Sequence, residues 1–127
     1  MIATTSSGDE TPLFQIGEVA ERVGLSIRTI RYYEEIELVV PSGRTEGGFR
    51  LYGEDDIRRL ELAKALKPTG LSLEDLVDFV ALASSPALST NDRRRLSDLT
   101  VATRARITRL DERLKHAVAV LDDLENS

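Results

Sequence analysis

SIRTIRYYEEIELVVPSGRTEGGFRLY, residues Ser26 to Tyr52, reads as a reading element followed by a gripping one. Ser26 is a good N-cap for a helix running to about Glu35, because its hydroxyl can take a free N–H of the first turn. In that helix Ile27, Ile30, Tyr33 and Ile36 can face inward, which leaves Arg28, Thr29, Arg31, Tyr32 and Glu35 pointing out. Two short apolar runs follow, Leu38 to Val40 and Phe49 to Leu51, around Pro41, Ser42, Gly43, Gly47 and Gly48. This pattern predicts two short strands joined by a turn. Cations, hydroxyls and stackable rings on one helix, then an arginine-bearing glycine loop, are the residue types that contact phosphates and base edges.

Upstream, Ile16, Val19, Ala20 and Val23 fall at helical spacing and predict a first helix from about Gln15 to Arg22. Gly24 stands where a helix end takes positive φ. Two short helices with a glycine in a tight connection make a helix-turn-helix, and a hairpin directly after its second helix is a wing. Residues 1–12, MIATTSSGDETP, are small, polar and aperiodic, which predicts a disordered tail.

Downstream, Glu54, Asp55 and Asp56 suit the positive end of a third helix that stops before Pro68. Ser72 with Asp75 resembles a capping box for a fourth helix carrying Leu73, Leu76, Val77, Val80 and Ala81 on one face. A linker-like run over 84–91 precedes one long helix over 92–125, free of glycine and proline. Leu96, Thr100, Thr103, Ile107, Leu110, Leu114, Ala117, Leu121 and Leu124 repeat there at alternating spacings of four and three, and Leu99 and Val118 widen the stripe. Such a narrow seam on so long a helix calls for a second copy of the chain. The fold class read from these elements is mainly α: a winged helix-turn-helix over 13–83, with a small β-hairpin wing, and a long C-terminal dimerisation helix.

Composition constrains the rest. At 127 residues the chain has room for one small domain and an extended element. With no cysteine and one histidine, His116, thiolate metal sites, iron-sulfur clusters and disulfides are excluded, so neither cofactor nor metal is expected. No run approaches the length of a membrane span and the N-terminus has no secretory pattern, so the expected location is cytoplasmic, with no membrane partner. The net charge of -5 opposes a uniformly basic nucleic-acid binder. From Leu13 to Lys67 nine Lys or Arg stand against ten Asp or Glu, so contact must rest on a few placed arginines and main-chain donors. No Ser-His-Asp set, phosphate-cradling loop or carboxylate pair points to an enzyme.

RTIRYYE followed by a proline and the wing pattern R-x-x-x-G-F-R-x-Y, together with IGEVAERVGLS before them and ALKPTGLSLEDL after, resemble the MerR family of bacterial transcription regulators from about Phe14 to Leu82. The resemblance implies a homodimer joined by an antiparallel coiled coil on near-palindromic, double-stranded promoter DNA, which it bends and untwists, with RNA polymerase as a further partner at the promoter. It also implies a short member with no effector domain after the long helix. Carried over by position, Arg28, Thr29, Arg31 and Tyr32 form the reading surface; Arg44, Arg50 and Tyr52 belong to the wing; Lys67 lies beside a second wing built from the third and fourth helices. Ile16 and Gly17 match the start of the first helix, where main-chain donors meet a phosphate. Leu96, Thr103, Ile107, Leu110, Leu114, Ala117, Leu121 and Leu124 match the dimer seam.

Three positions depart from the family pattern. Glu37 replaces a glycine after the reading helix, which costs about 1 kcal/mol if positive φ is kept. Phe49 replaces a wing tyrosine, and Pro68 interrupts the second wing beside Lys67. An architectural recombination factor of the excisionase type, which uses a similar winged fold, is the alternative function; the long seam speaks against it.

Overall fold

The computed structural model describes residues 12–127, so the expected N-terminal tail lies, apart from Pro12, outside the described residues. A two-residue strand, β1 (Phe14–Gln15), runs directly into α1 (Ile16–Val23), whose Val19 and Val23 are buried. Gly24 closes α1 in the left-handed region at φ 81, as its position predicts. A Cβ at Gly24 would come within 2.6 Å of Lys64 Nζ. That ammonium donates to the Val23 carbonyl at 2.8 Å, so the turn between the two helices is held from a distant part of the chain.

The second helix, α2 (Ile27–Glu35), begins where Ser26 Oγ accepts from the Thr29 N–H at 3.0 Å. Ile30 and Tyr33 are buried as predicted. Ile27, predicted to face inward, is exposed, because it is the first helical residue and precedes the packed turn. At the other end the Leu38 N–H donates to Tyr33 O at 2.8 Å and the Glu37 N–H to Glu34 O at 3.0 Å. This pair of bonds is a Schellman ending, with Glu37 at φ 64 in the position usually given to glycine.

That ending corrects the strand expected at Leu38 to Val40. The amides of Leu38 and Val39 both donate to Tyr33 O, so neither is free for a ladder, and both residues pack into the core as a turn. The first strand of the wing instead forms beyond Pro41 and Ser42, β2 at Gly43–Arg44, and the second one residue later than expected, β3 at Arg50–Tyr52. They pair antiparallel, Arg44 opposite Arg50, and β1 adds to the far edge of β3 with Phe14 opposite Tyr52. The sheet order is therefore β1-β3-β2. Two residues are too few to show an alternating pattern, which is why β1 is invisible in the sequence. Glu37→Gly is expected to raise the unfolding free energy by about 0.5–1 kcal/mol, since glycine adopts positive φ without strain. A urea denaturation midpoint that fails to rise would show that the turn stores no strain.

From Glu54 to Leu66 the chain forms α3, followed by a 3-10 turn at Lys67–Thr69 that accommodates Pro68 near its start. The helix α4 (Leu73–Ala83) is capped by Ser72, whose Oγ accepts from the Asp75 N–H. The last helix, α5 (Thr90–Glu125), starts two residues earlier than predicted, because Ser89 and Asp92 exchange side-chain and main-chain bonds as a capping box. Arg95 donates to Asp75 at 2.9 Å and Asp78 at 3.2 Å, tying α5 to α4. The core runs through Val19, Ile30, Tyr52, Leu60, Leu76 and Val80 to Leu99.

The expected seam of α5 divides in two. Thr103 is buried in this chain's own fold, which corrects it from a dimer residue to an intramolecular one, and Leu96 is half-buried against the same core: α4 and the 3-10 turn already cover that part of the helix. From Ile107 onward the stripe is largely uncovered, with Leu110 half-buried, Leu114 66 % and Leu124 68 % exposed.

Candidate nucleic-acid interface

The outward face of α2 carries Arg28, Arg31 and Tyr32, all exposed, with the Thr29 side chain half-buried beside them. Thr29 is partly engaged already: the Ser26 hydroxyl donates to Thr29 Oγ1 at 2.9 Å, so its oxygen belongs to the helix cap as much as to the surface. The Tyr32 ring lies 6.0 Å from that of Tyr33 at a tilt of 45°. Tyr33 thus anchors the ring that Tyr32 presents.

Two concavities flank this helix. On one side Arg28, Thr29 and Tyr32 face Lys67 and Leu73 across a shared hollow. On the other, Arg31 shares a hollow with Glu34, Glu35 and Arg50. The fold therefore sets α2 between a cation on the 3-10 turn and a cation on the wing. Pro68 leaves Lys67 exposed in that hollow, so the proline does not remove the expected basic residue from the reading face.

The wing is held from beneath by Glu34. Its carboxylate accepts the Tyr52 hydroxyl at 2.7 Å and pairs with Arg50 Nε at 2.5 Å. One carboxylate of α2 thereby fixes the wing strand against the reading helix and orients the Arg50 guanidinium. Burial, then the bond to Glu34, holds the Tyr52 phenol well above the ordinary tyrosine range. Tyr52 is 0 % exposed, which corrects the expectation that it touches DNA: its ring is core and its hydroxyl is spent on Glu34.

At the base of the wing a second carboxylate, this one fully buried, does similar work. Asp56 accepts from the Ser42 hydroxyl at 2.9 Å, the Gly53 N–H at 3.2 Å and Arg59 Nη1 at 3.0 Å. Three donors satisfy a carboxylate that is 1 % exposed. At the tip, Arg44 Nη1 donates back to Gly48 O at 3.1 Å, so part of its guanidinium is used to close the loop. Phe49 stands exposed beside it.

Ile16 is half-buried at the start of α1, and Gly17 beside it is exposed. Gln15, the N-cap residue, makes no side-chain cap bond, so the first amides of α1 are not taken by a cap. Sequence reasoning missed Glu34 and Asp56. Glu34 lies four residues beyond the buried Ile30, hence on the inward flank of α2, and a carboxylate placed there requires a donor.

If Tyr52 is an anchor, Tyr52→Phe is expected to lower the unfolding free energy by about 1–2 kcal/mol, the usual cost of losing a buried bond to a charged acceptor. Urea denaturation measures this. Unchanged stability with weakened DNA binding would return Tyr52 to the contact surface.

Residues 14–82 match the family model described as MerR HTH family regulatory protein. The chain is 39% identical over 111 residues to the HTH-type transcriptional regulator YfmP of Bacillus subtilis, covering 86% of this chain and 78% of that one. With the HTH-type transcriptional regulator ZntR of Escherichia coli it shares 38% identity over 74 residues, 58% of this chain and about half (52%) of that protein. Among solved structures it is similar to HiNmlR, a MerR family regulator lacking the sensor domain, bound to promoter DNA, with a TM-score of 0.73 at 25% identity, over 85% of this chain and 80% of that one. Every element of the DNA-contacting architecture expected of such a protein lies within the matched region. The chain belongs to the MerR family of DNA-binding transcription regulators.

Proposed function

We propose that this chain regulates transcription as a homodimer that binds near-palindromic promoter DNA and bends and untwists it. Each protomer lays α2 in a major groove, where Arg31 and Arg28 reach base edges or phosphates and Tyr32 packs against the sugar-phosphate backbone. Lys67 on one flank and Arg44 and Arg50 on the other grip the phosphates on either side. The main-chain amides at Ile16 and Gly17 meet a further phosphate.

The observation that carries this reading is the placement of α2 between two cation-bearing hollows on one face. A rigid body gripping phosphates on both flanks of a groove has the leverage to deform the duplex, and deformation realigns promoter elements for RNA polymerase. The promoter-bound state of HiNmlR is in keeping with it. An excisionase-like recombination factor is not favoured, since the relatives are transcription regulators.

Selection of bound sequences from a random duplex pool tests the reading. The expected product is an inverted repeat, and a circular-permutation gel with that repeat at different positions should show a bend. Enrichment of a single asymmetric or tandem site, or no enrichment above the starting pool, would overturn it.

A further inference from the structure

A grip on both flanks of a groove needs a fixed span between α2 and Lys67, because phosphate contacts set the register only if their separation is set. That span is relayed through α1. The reading helix packs on α1, and α1 packs on α3, the helix that runs directly into Lys67.

Two ties join α1 to α3, one near each end of the longer helix. At the start of α3 the Arg22 guanidinium donates to both carboxylate oxygens of Glu54, at 3.0 and 3.2 Å. Near the last turn Lys64 Nζ donates to the Val23 carbonyl at 2.8 Å. The first tie is a pair of exposed side chains, which can shift together at little cost. The second holds main chain, at the residue where α1 stops and the turn to α2 begins.

The Val23 carbonyl is a group that the turn would otherwise leave without a partner. The amides of Gly24 and Leu25 both donate to Ala20 O, and among the described residues no main-chain amide donates to Val23 O. An ammonium there also meets the negative end of α1. Arg22, the cation of α1's own last turn, is engaged with Glu54. Gly24 completes the arrangement, since its φ of 81 and the 2.6 Å that would separate a Cβ from Nζ both call for glycine. Lys64 is thus spent on the turn, while Lys67, three residues on, faces Arg28, Thr29 and Tyr32 across their hollow.

We propose that Lys64 is a positioning residue for DNA recognition: by holding Val23 it sets where α2 leaves the turn relative to Lys67, and it does so without touching the duplex. The inference rests on the reading that α2 and Lys67 grip one duplex. A count of cations would place Lys64 among the phosphate contacts, and the geometry removes it from them.

A double-mutant cycle separates these roles, read by gel shift at fixed salt on the inverted repeat recovered from the random pool, well below the melting temperature of every variant. Lys67→Met should weaken binding through its own lost contact. Lys64→Met, which keeps the stem and removes the ammonium, should weaken it by about tenfold or more. Lys64→Arg, whose guanidinium can donate to the same carbonyl, should restore most of that loss. In the Lys67→Met background the Lys64→Met change should cost only about twofold, because α2 can then settle in the groove with no second contact to satisfy. Equal losses in both backgrounds would make Lys64 a phosphate contact in its own right, and unchanged affinity for Lys64→Met would leave it a cap without a part in recognition. Either outcome, or a Lys64→Arg chain that binds no better than Lys64→Met, overturns the proposal while the two-flank reading stands. Lys67→Met without effect overturns both.

Discussion

A chain carrying Leu110→Asp and Leu114→Asp is expected to sediment as a monomer, keep its helical content, and lose operator binding by about 100-fold or more. Both leucines lie on the part of the stripe that the protein's own helices do not cover: Leu114 is largely exposed in the single chain and Leu110 only half-buried. The substitutions therefore cost little in the monomer. In a two-fold dimer each appears twice, so four carboxylates would enter an apolar seam, at several kcal/mol each without a partner. The loss of DNA affinity follows from valence. One half-site holds a protomer weakly, and joining two protomers makes the second contact intramolecular, which is worth roughly 10²–10⁴ in affinity. Sedimentation with circular dichroism and a gel shift measure the three quantities. A variant that stays dimeric would place the interface elsewhere, and a monomer with undiminished operator binding would remove the need for a dimer.

The contrast with Leu96 and Thr103 shows what a heptad pattern encodes. Periodicity marks which face of α5 is apolar, and over the first turns Leu96, Leu99 and Thr103 do lie inward while Thr100 of the same stripe stays exposed. It carries no information on what covers the face, because burial against α4 and burial against a second copy select the same residue types. Only the position of the 3-10 turn reveals the change at Ile107. The helix-turn-helix was legible for the opposite reason: Gly24, Ser26 and the inward Ile30 and Tyr33 are local signals, each readable without the rest of the fold.

The wing was legible as a glycine-rich hairpin but displaced in register. The shift arises because Glu37 accepts a left-handed backbone despite its side chain, and the ending it completes takes the amides of Leu38 and Val39 out of play. Tyr52 shows a related limit. A tyrosine at the end of a wing strand has the same signature whether its hydroxyl meets a phosphate or a half-buried carboxylate. The choice was made by Glu34, eighteen residues away, and long-range pairs of this kind leave no trace in spacing. What the sequence carried well was the cast of exposed cations, since Arg28, Arg31, Arg44, Arg50 and Lys67 all remain at the surface.

Arg31→Ala is expected to abolish operator binding under conditions that saturate the wild-type protein, with the dimer and the melting temperature unchanged. Arg31 is exposed at the centre of α2, facing the hollow it shares with Arg50, and no ion pair among the described residues holds it. Its removal leaves the core untouched. A bidentate arginine contact to a base contributes about 1–3 kcal/mol of discrimination, and a two-fold dimer places two of them, so the expected loss is about 30- to 10⁴-fold. The acidic net charge makes the loss harder to mask: a strongly basic protein would keep appreciable non-specific affinity after one truncation, and this one has little to fall back on. The salt dependence identifies the kind of contact. If Arg31 reads a base, affinity for the operator falls toward that for random duplex while the slope of log affinity against log salt is nearly kept. If it meets a phosphate, affinity falls equally for both duplexes and the slope decreases by about one for each protomer's lost contact. Undiminished affinity at fixed salt would remove α2 from the groove.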